Sequence, residues 1–220
     1  GLEAESHLGY SPLVRLPIVT IFVSLAAGAL CFPGLAQAQL DYDPQSREWN
    51  GLRSFVEQAT PLDLELEVRN EVDYATLDPR TSLIIVYPTV ELDRPSLMAH
   101  LRQGGRVLIA DDFGRSDEFL ERIGVTRDES PVTGGLHFRN REQLPIAAPT
   151  HEDHVLTIGV RRLLTNHPAT FESELPPVFV TGEPERALVV IGANGEGRMI
   201  LLGDPSVLIN NMLEVRSNQQ

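Results

Sequence analysis

The chain has 220 residues, with 31 acidic against 18 basic side chains, a formal net charge of −13 and a single cysteine. Such an excess of negative charge repels phosphate backbones, so nucleic acid is not an expected partner. One cysteine rules out an internal disulfide and leaves at most one thiol for nucleophilic or metal chemistry.

Arg15 to Ala38 has the three parts of a secretory signal. Arg15 is the positive residue, Leu16 to Phe32 the apolar stretch, and Ala36-Gln37-Ala38 the small-x-small cleavage site. Cleavage there leaves Gln39 as the mature N-terminus. The competing reading is a retained membrane anchor. The stretch is 17 residues long, at the short limit of the roughly 17–25 that span a bilayer, and it contains Pro17 and Gly28. Either course places the rest of the chain outside the cytoplasm, with membrane contact only through an uncleaved N-terminal segment. Cys31 falls inside the stretch behind Leu30, which is not the small residue a lipoprotein signal needs, so the processed chain has no thiol. The expected organisation is a signal over residues 1–38 and one domain over 39–220. With Glu3, Glu5 and Arg15 set aside, that domain keeps 29 acids and 17 bases, a net of −12 over 182 residues, enough for one buried core. All its basic residues are arginines, which reads as coding bias rather than function.

Gln45 to Ala59 places Trp49, Leu52, Phe55, Val56 and Ala59 at helical spacing, with Ser46 as N-cap. Leu62 to Val68 alternates strictly and reads as a strand with one wet face near a sheet edge. Leu83 to Tyr87 and Val107 to Ala110 are unbroken apolar runs, as in parallel strands covered on both faces. Arg94 to Gln103 is predicted as a helix ended by Gly104-Gly105. Arg115 to Ile123 is predicted as the next, capped by Ser116, with Asp117 and Glu118 in its first turn and Gly124 as its stop. Strand and helix alternating at this spacing predict right-handed βαβ units and an open, doubly wound, mostly parallel sheet. Thr126 to Phe171, broken by Pro145, Pro149 and Pro168, yields only a short strand near Ile146-Ala147. Val178 to Thr181, Ala187 to Ile191 and Met199 to Leu202 read as strands, the last two forming a C-terminal antiparallel hairpin around Asn194-Gly195. Pro205 to Met212 reads as a helix with proline in its first turn.

Three motifs bear on function. The loop Gly192 to Gly197 resembles a phosphate cradle, but that chemistry needs a strand leading into a helix N-terminus, whereas this loop joins two strands and carries Glu196. His151-Glu-Asp-His154 has a spacing of three rather than the four of a zinc-peptidase helix, and Pro149 places it in a loop, so no metal ligand is assigned. Asp111-Asp112-Phe113-Gly114 directly follows a buried strand, at the carboxyl edge where open α/β sheets bind ligands. With Ser116 available as the next helix cap, neither aspartate has an evident structural task. Asp204 follows the last strand in the same way, though Asp before Pro is also an ordinary cap. If that strand runs parallel to the central pair, Asp111, Asp112 and Asp204 share one edge, bordered by Tyr87 and Thr89. These five are the candidate ligand-binding residues. Solvation and capping are preferred over a divalent cation, since no phosphate-binding or nucleophilic partner accompanies them.

Tyr42-Asp-Pro, Trp49-Asn-Gly-Leu52, Ser82 to Pro88, Gly104 to Gly114 and Leu202-Gly-Asp-Pro-Ser206 together resemble a bacterial domain of unknown function, numbered 4350. The resemblance covers about Leu40 to Leu213. That family is similar to a domain of gliding-motility transporter subunits and intraflagellar-transport proteins, related to class I glutamine amidotransferases. The resemblance implies a flavodoxin-like, class I glutamine-amidotransferase-like sheet used for binding, often beside a membrane complex. The amidotransferases place a cysteine at a sharp turn after a central strand, activated by histidine and glutamate. Here that turn offers aspartates and no thiol, so the activity is not carried over and no cofactor is expected. The leading expectation is a non-catalytic extracytoplasmic domain binding a protein or small molecule at its carboxyl edge. The competing one is a metal-dependent hydrolase on Asp111, Asp112 and Asp204, with His151 or His154.

Overall fold

A computed structural model describes residues 18–23, 41–215 and 218. Eleven strands join in one sheet: β1 Ile18–Val23, β2 Glu65–Arg69, β3 Ser82–Val86, β4 Arg106–Ala110, β5 Val125–Asp128, β6 Ile146–Pro149, β7 Leu163–Leu164, β8 Thr170–Ser173, β9 Pro177–Thr181, β10 Arg186–Asn194 and β11 Gly197–Leu202. Among the described residues the α-helices are short: α1 Arg53–Glu57, α2 Arg94–Arg102, α3 Asp117–Arg122 and α4 Asn210–Leu213. None is long and apolar enough to cross a membrane.

The main path of the sheet is β2-β1-β3-β4-β11-β10-β9-β6-β7, with β8 pairing β10 and β5 pairing β8. The first five strands of the path pair in parallel. From β11 onward every pairing is antiparallel. This is a mixed, curled sheet with few helices, and it overturns the expected doubly wound, flavodoxin-like or amidotransferase-like α/β fold. The reason lies after α3. A doubly wound fold needs a further parallel strand there, but β5 pairs antiparallel with β8, and the proline-broken stretch supplies short antiparallel strands instead of crossover helices. A twisted sheet of this many strands curls rather than staying flat.

The expected pattern does hold in the middle, where the unbroken apolar runs form β3 and β4. Their alternate residues feed two cores. Leu83, Ile85, Val107, Ile109 and Leu201 pack with Leu97 and Leu101 of α2 and with Phe119 and Leu120 of α3. Val86, Ala110, Leu188 and Leu202 pack on the other face with Leu52, Leu208, Ile209 and Met212. Each fully buried leucine or phenylalanine contributes about 1.5–3 kcal/mol. Asp93 caps α2 by accepting from the Ser96 amide, and Gly104, with φ of +95°, ends it. β2 is the sheet edge, as its alternation predicts.

Two predicted helices are mostly something else. Of Gln45 to Ala59 only α1 is α-helical, without a side-chain cap; the hydroxyl of Ser46 accepts from the Glu48 amide in the preceding turn. That turn is clamped to the C-terminal region by Asn210, whose amide donates to the carbonyls of Ser46 and Glu48. Pro205 to Met212 is a 3-10 turn, Pro205–Leu208, followed by α4, the two separated at Ile209 with ψ of 155°. The apolar stretch read as a signal is described only where Ile18–Val23 forms β1, between β2 and β3. Arg15, Cys31, Ala36-Gln37-Ala38 and Gln39 lie outside the described residues.

Candidate functional site

β11 runs parallel to β4, so Asp111, Asp112 and Asp204 do share the carboxyl edge of the sheet. The Asp111 amide donates to the Leu202 carbonyl at 2.9 Å and carries the pairing one step past β4. All three carboxylates are buried: Asp111 is 1% exposed, Asp112 5% and Asp204 0%. Their surroundings differ sharply.

Asp111 is a structural hub. Its Oδ1 accepts from the Gly114 amide at 2.6 Å, and its Oδ2 accepts from the Ser116 amide, the Ser116 hydroxyl and the Arg127 guanidinium. Arg127, on β5, is itself buried and also donates to the Gly114 carbonyl and to Asp117 on α3. Burial pushes the Asp111 carboxyl up, while the Ser116 hydroxyl and the Arg127 charge pull it down. Burial prevails in that balance, and the four donors, one a buried cation, offset part of it. Ser116 stands at the N-cap of α3 as expected, yet its side chain serves Asp111 rather than capping. Gly114 is required by the close approach: a Cβ there would lie 2.4 Å from Asp111 Oδ1 and 2.7 Å from the Pro88 carbonyl oxygen.

Asp204 is also committed. Its Oδ1 accepts from the Ser206 amide at 2.8 Å, as a cap, and its Oδ2 accepts from the Asn166 amide at 2.6 Å. Burial pushes its carboxyl up to about 8, and the nearby Asp112 adds to the rise.

Asp112 is different. Among the described residues its carboxylate accepts from backbone amides alone, that of Phe113 at 2.8 Å and its own, and has no ion pair. Burial pushes its carboxyl up to about 7, with Asp111 contributing in the same direction. Burial favours the protonated form of both Asp112 and Asp204, and the charge of Asp112 adds to that at Asp204.

Two tyrosines stand against these carboxylates. The Tyr42 and Tyr87 rings stack with centroids 5.1 Å apart, and the Tyr42 hydroxyl lies 3.5 Å from that of Ser206. Burial raises both phenols, and Asp112 raises them further. Both residues adopt left-handed backbone conformations, with φ of 63° and 47°. For a bulky residue such a conformation costs on the order of 1–3 kcal/mol and persists only where surrounding contacts fix it. The Tyr87 amide is fixed by the Ala110 carbonyl and the Tyr42 amide by the Asn50 carbonyl. Thr89 is half-buried and makes no side-chain hydrogen bond to this group.

Beside the edge lies a cavity of about 560 Å³. It is reached from the same two loops, since Phe113 follows Asp112, and His167 follows the Asn166 that donates to Asp204.

The histidine pair is not assembled for metal. His154 Nδ1 accepts from the Leu156 amide, and Thr157 donates to the carbonyls of both His151 and His154. Among the described residues no three His, Cys, Asp or Glu side chains come together to hold a metal ion. The glycine loop is the β10–β11 hairpin turn, with Asn194 paired to Gly197 and the tip at Gly195-Glu196.

Sequence reasoning missed Arg127, Tyr42 and Asn166. Arg127 sat in the stretch read as irregular, and Val125-Thr-Arg-Asp, one apolar residue followed by three polar ones, carries no strand alternation. Asn166 acts through its backbone amide, which leaves no trace in residue type.

The fold and site together define a mixed α/β sheet domain with an acidic carboxyl edge and no thiol there. Residues 44–220 match the domain of unknown function DUF4350, and the chain belongs to that family. No curated protein matches it in sequence. Solved structures share its fold at low identity. The mmIFT52 N-terminal domain is 13% identical with a TM-score of 0.62, covering 76% of this chain and 84% of that one. A cytoplasmic protein of Salmonella typhimurium LT2 is 12% identical with a TM-score of 0.57, covering 85% and 87%. A β-galactosidase from Rahnella sp. R3 is 14% identical with a TM-score of 0.55, covering 94% of this chain but 31% of that enzyme. The chain thus spans about a third of that longer enzyme.

Proposed function

We propose that this chain is a non-catalytic scaffold domain, exported from the cytoplasm, whose carboxyl edge around Asp112, Tyr42 and Tyr87 is the contact face for a partner in a membrane-associated complex. The observation that carries the reading is the division of labour among the three aspartates. Asp111 and Asp204 are spent on holding the edge together. Asp112 is buried beside them with backbone amides as its only partners among the described residues. A carboxylate kept in that condition costs stability, and such costs concentrate at binding sites. The hydroxyls that meet carboxylates here among the described residues, Ser116 on Asp111 and Ser206 on Asp204, are both buried, which supports binding over chemistry. A basic side chain of a partner would supply the opposite charge that Asp112 lacks. Export is supported by the apolar stretch and Ala36-Gln37-Ala38. Processing there would also remove β1, the strand that pairs β2 to the sheet.

Calorimetric titration with Mg²⁺, Mn²⁺, Ca²⁺ and Zn²⁺ tests the non-catalytic part. The expected result is no micromolar binding to the wild type. Saturable micromolar binding that disappears in Asp112→Asn would replace this reading with a metal-dependent one.

A further inference from the structure

We infer that the cavity beside the acidic edge is a binding site for a small organic cation, an ammonium carried on an apolar body. This goes beyond the scaffold reading and uses different residues. The volume of about 560 Å³ falls in the range of small-molecule sites. Its wall is largely apolar, with Phe113, Val132, Pro145 and Pro168 among the lining residues. Phe113 is 47% exposed and offers its ring to whatever enters. The charged lining residues are Glu129 and Glu142, and no arginine lines the cavity. Glu129 is met by Arg127 at 3.2 Å. Glu142 has no ion pair among the described residues, so one negative charge is left for the occupant.

The polar groups are placed by a hairpin. The Phe138 amide donates to the Leu144 carbonyl, the Ile146 amide donates to the Leu136 carbonyl, and His137 bridges Pro145. This holds His137 and Glu142 at the same cavity. His137 Nε2 is enclosed without a hydrogen-bond partner. That nitrogen donates or accepts according to the ring's tautomer, so it offers an occupant a polar contact without selecting its charge. An apolar wall, an aromatic face and a spare carboxylate together select a cation with an apolar body. An anion would meet Glu129 and Glu142 in a chain already at −13.

The test is an NMR or calorimetric titration of the full chain with 2-phenylethylammonium, neutral 2-phenylethanol and anionic 3-phenylpropanoate. The cation should saturate, the alcohol should bind about tenfold more weakly, and the anion should not saturate over the same range. Glu142→Gln should weaken the cation about tenfold and leave the alcohol unchanged. Phe113→Ala should weaken both. Both positions are solvent-exposed, so an unchanged melting temperature will show that the variants are folded. Equal binding of all three probes, no saturation by the cation, or indifference to Glu142→Gln would each overturn the inference. None of these outcomes touches the partner contact proposed at Asp112.

Discussion

Replacing Asp112 by Asn should stabilise the protein by an amount that grows from pH ~4 and levels off above pH ~7. Asp112 is 5% exposed, and its carboxyl is pushed from an ordinary 3.8 up to about 7. Below pH ~4 the carboxyl is protonated in both folded and unfolded chains, so it contributes no difference. As pH rises from there the unfolded chain ionises first, and folding is penalised progressively until the folded carboxyl titrates near 7. Above that the penalty is constant. A rise from 3.8 to about 7 caps it at ~4 kcal/mol. Asn still accepts from the Phe113 amide but has its own burial cost, and Asp204 is coupled to the same titration. A net gain of about 2 kcal/mol is therefore expected, or roughly 4–8 °C in melting temperature for a domain of this size. Thermal melts of wild type and Asp112→Asn by circular dichroism, from pH 4 to 8.5, measure it. The two curves should coincide near pH 4 and separate by pH 7.5. No gain at pH 8, or a gain independent of pH, would refute the reasoning.

The neighbouring substitution should have the opposite sign: Asp111→Asn removes the charge that faces buried Arg127 and should cost about 3 kcal/mol by denaturant unfolding at pH 7. Equal effects at Asp111 and Asp112 would erase the distinction drawn between them. Mass spectrometry of the protein from an exporting host should give a mature N-terminus at Gln39. An intact N-terminus in the soluble fraction would count against export and keep β1 in the sheet.

The centre of the sheet was legible because its signals are local and strong. Leu83 to Tyr87 and Val107 to Ala110 are dense enough that only double-sided burial explains them, and α2 between them carries its stop at Gly104-Gly105. The error came from extending that pattern past Gly124. The short strands β5, β7 and β8 are held by pairing to residues 16 to 48 positions away, and no window of a few residues reveals a partner that distant. The site was half legible for the same reason. A run of two aspartates after a buried strand marks the edge, but which aspartate is free depends on Arg127, 16 positions from Asp111, and on the backbone amide of Asn166. Gln45 to Ala59 shows the converse: helical spacing of apolar residues also fits a turn that Asn210 clamps.

Site-specific photo-cross-linking in the native host tests the central claim most directly. A benzophenone side chain placed at Tyr87, at the edge, is compared with one at Val155, a solvent-facing position between β6 and β7 that is 77% exposed. The account predicts one discrete adduct from position 87, lost when Asp112→Asn is added, and none from position 155. No adduct at 87, or the same adducts from both positions, would contradict a contact face at the carboxyl edge.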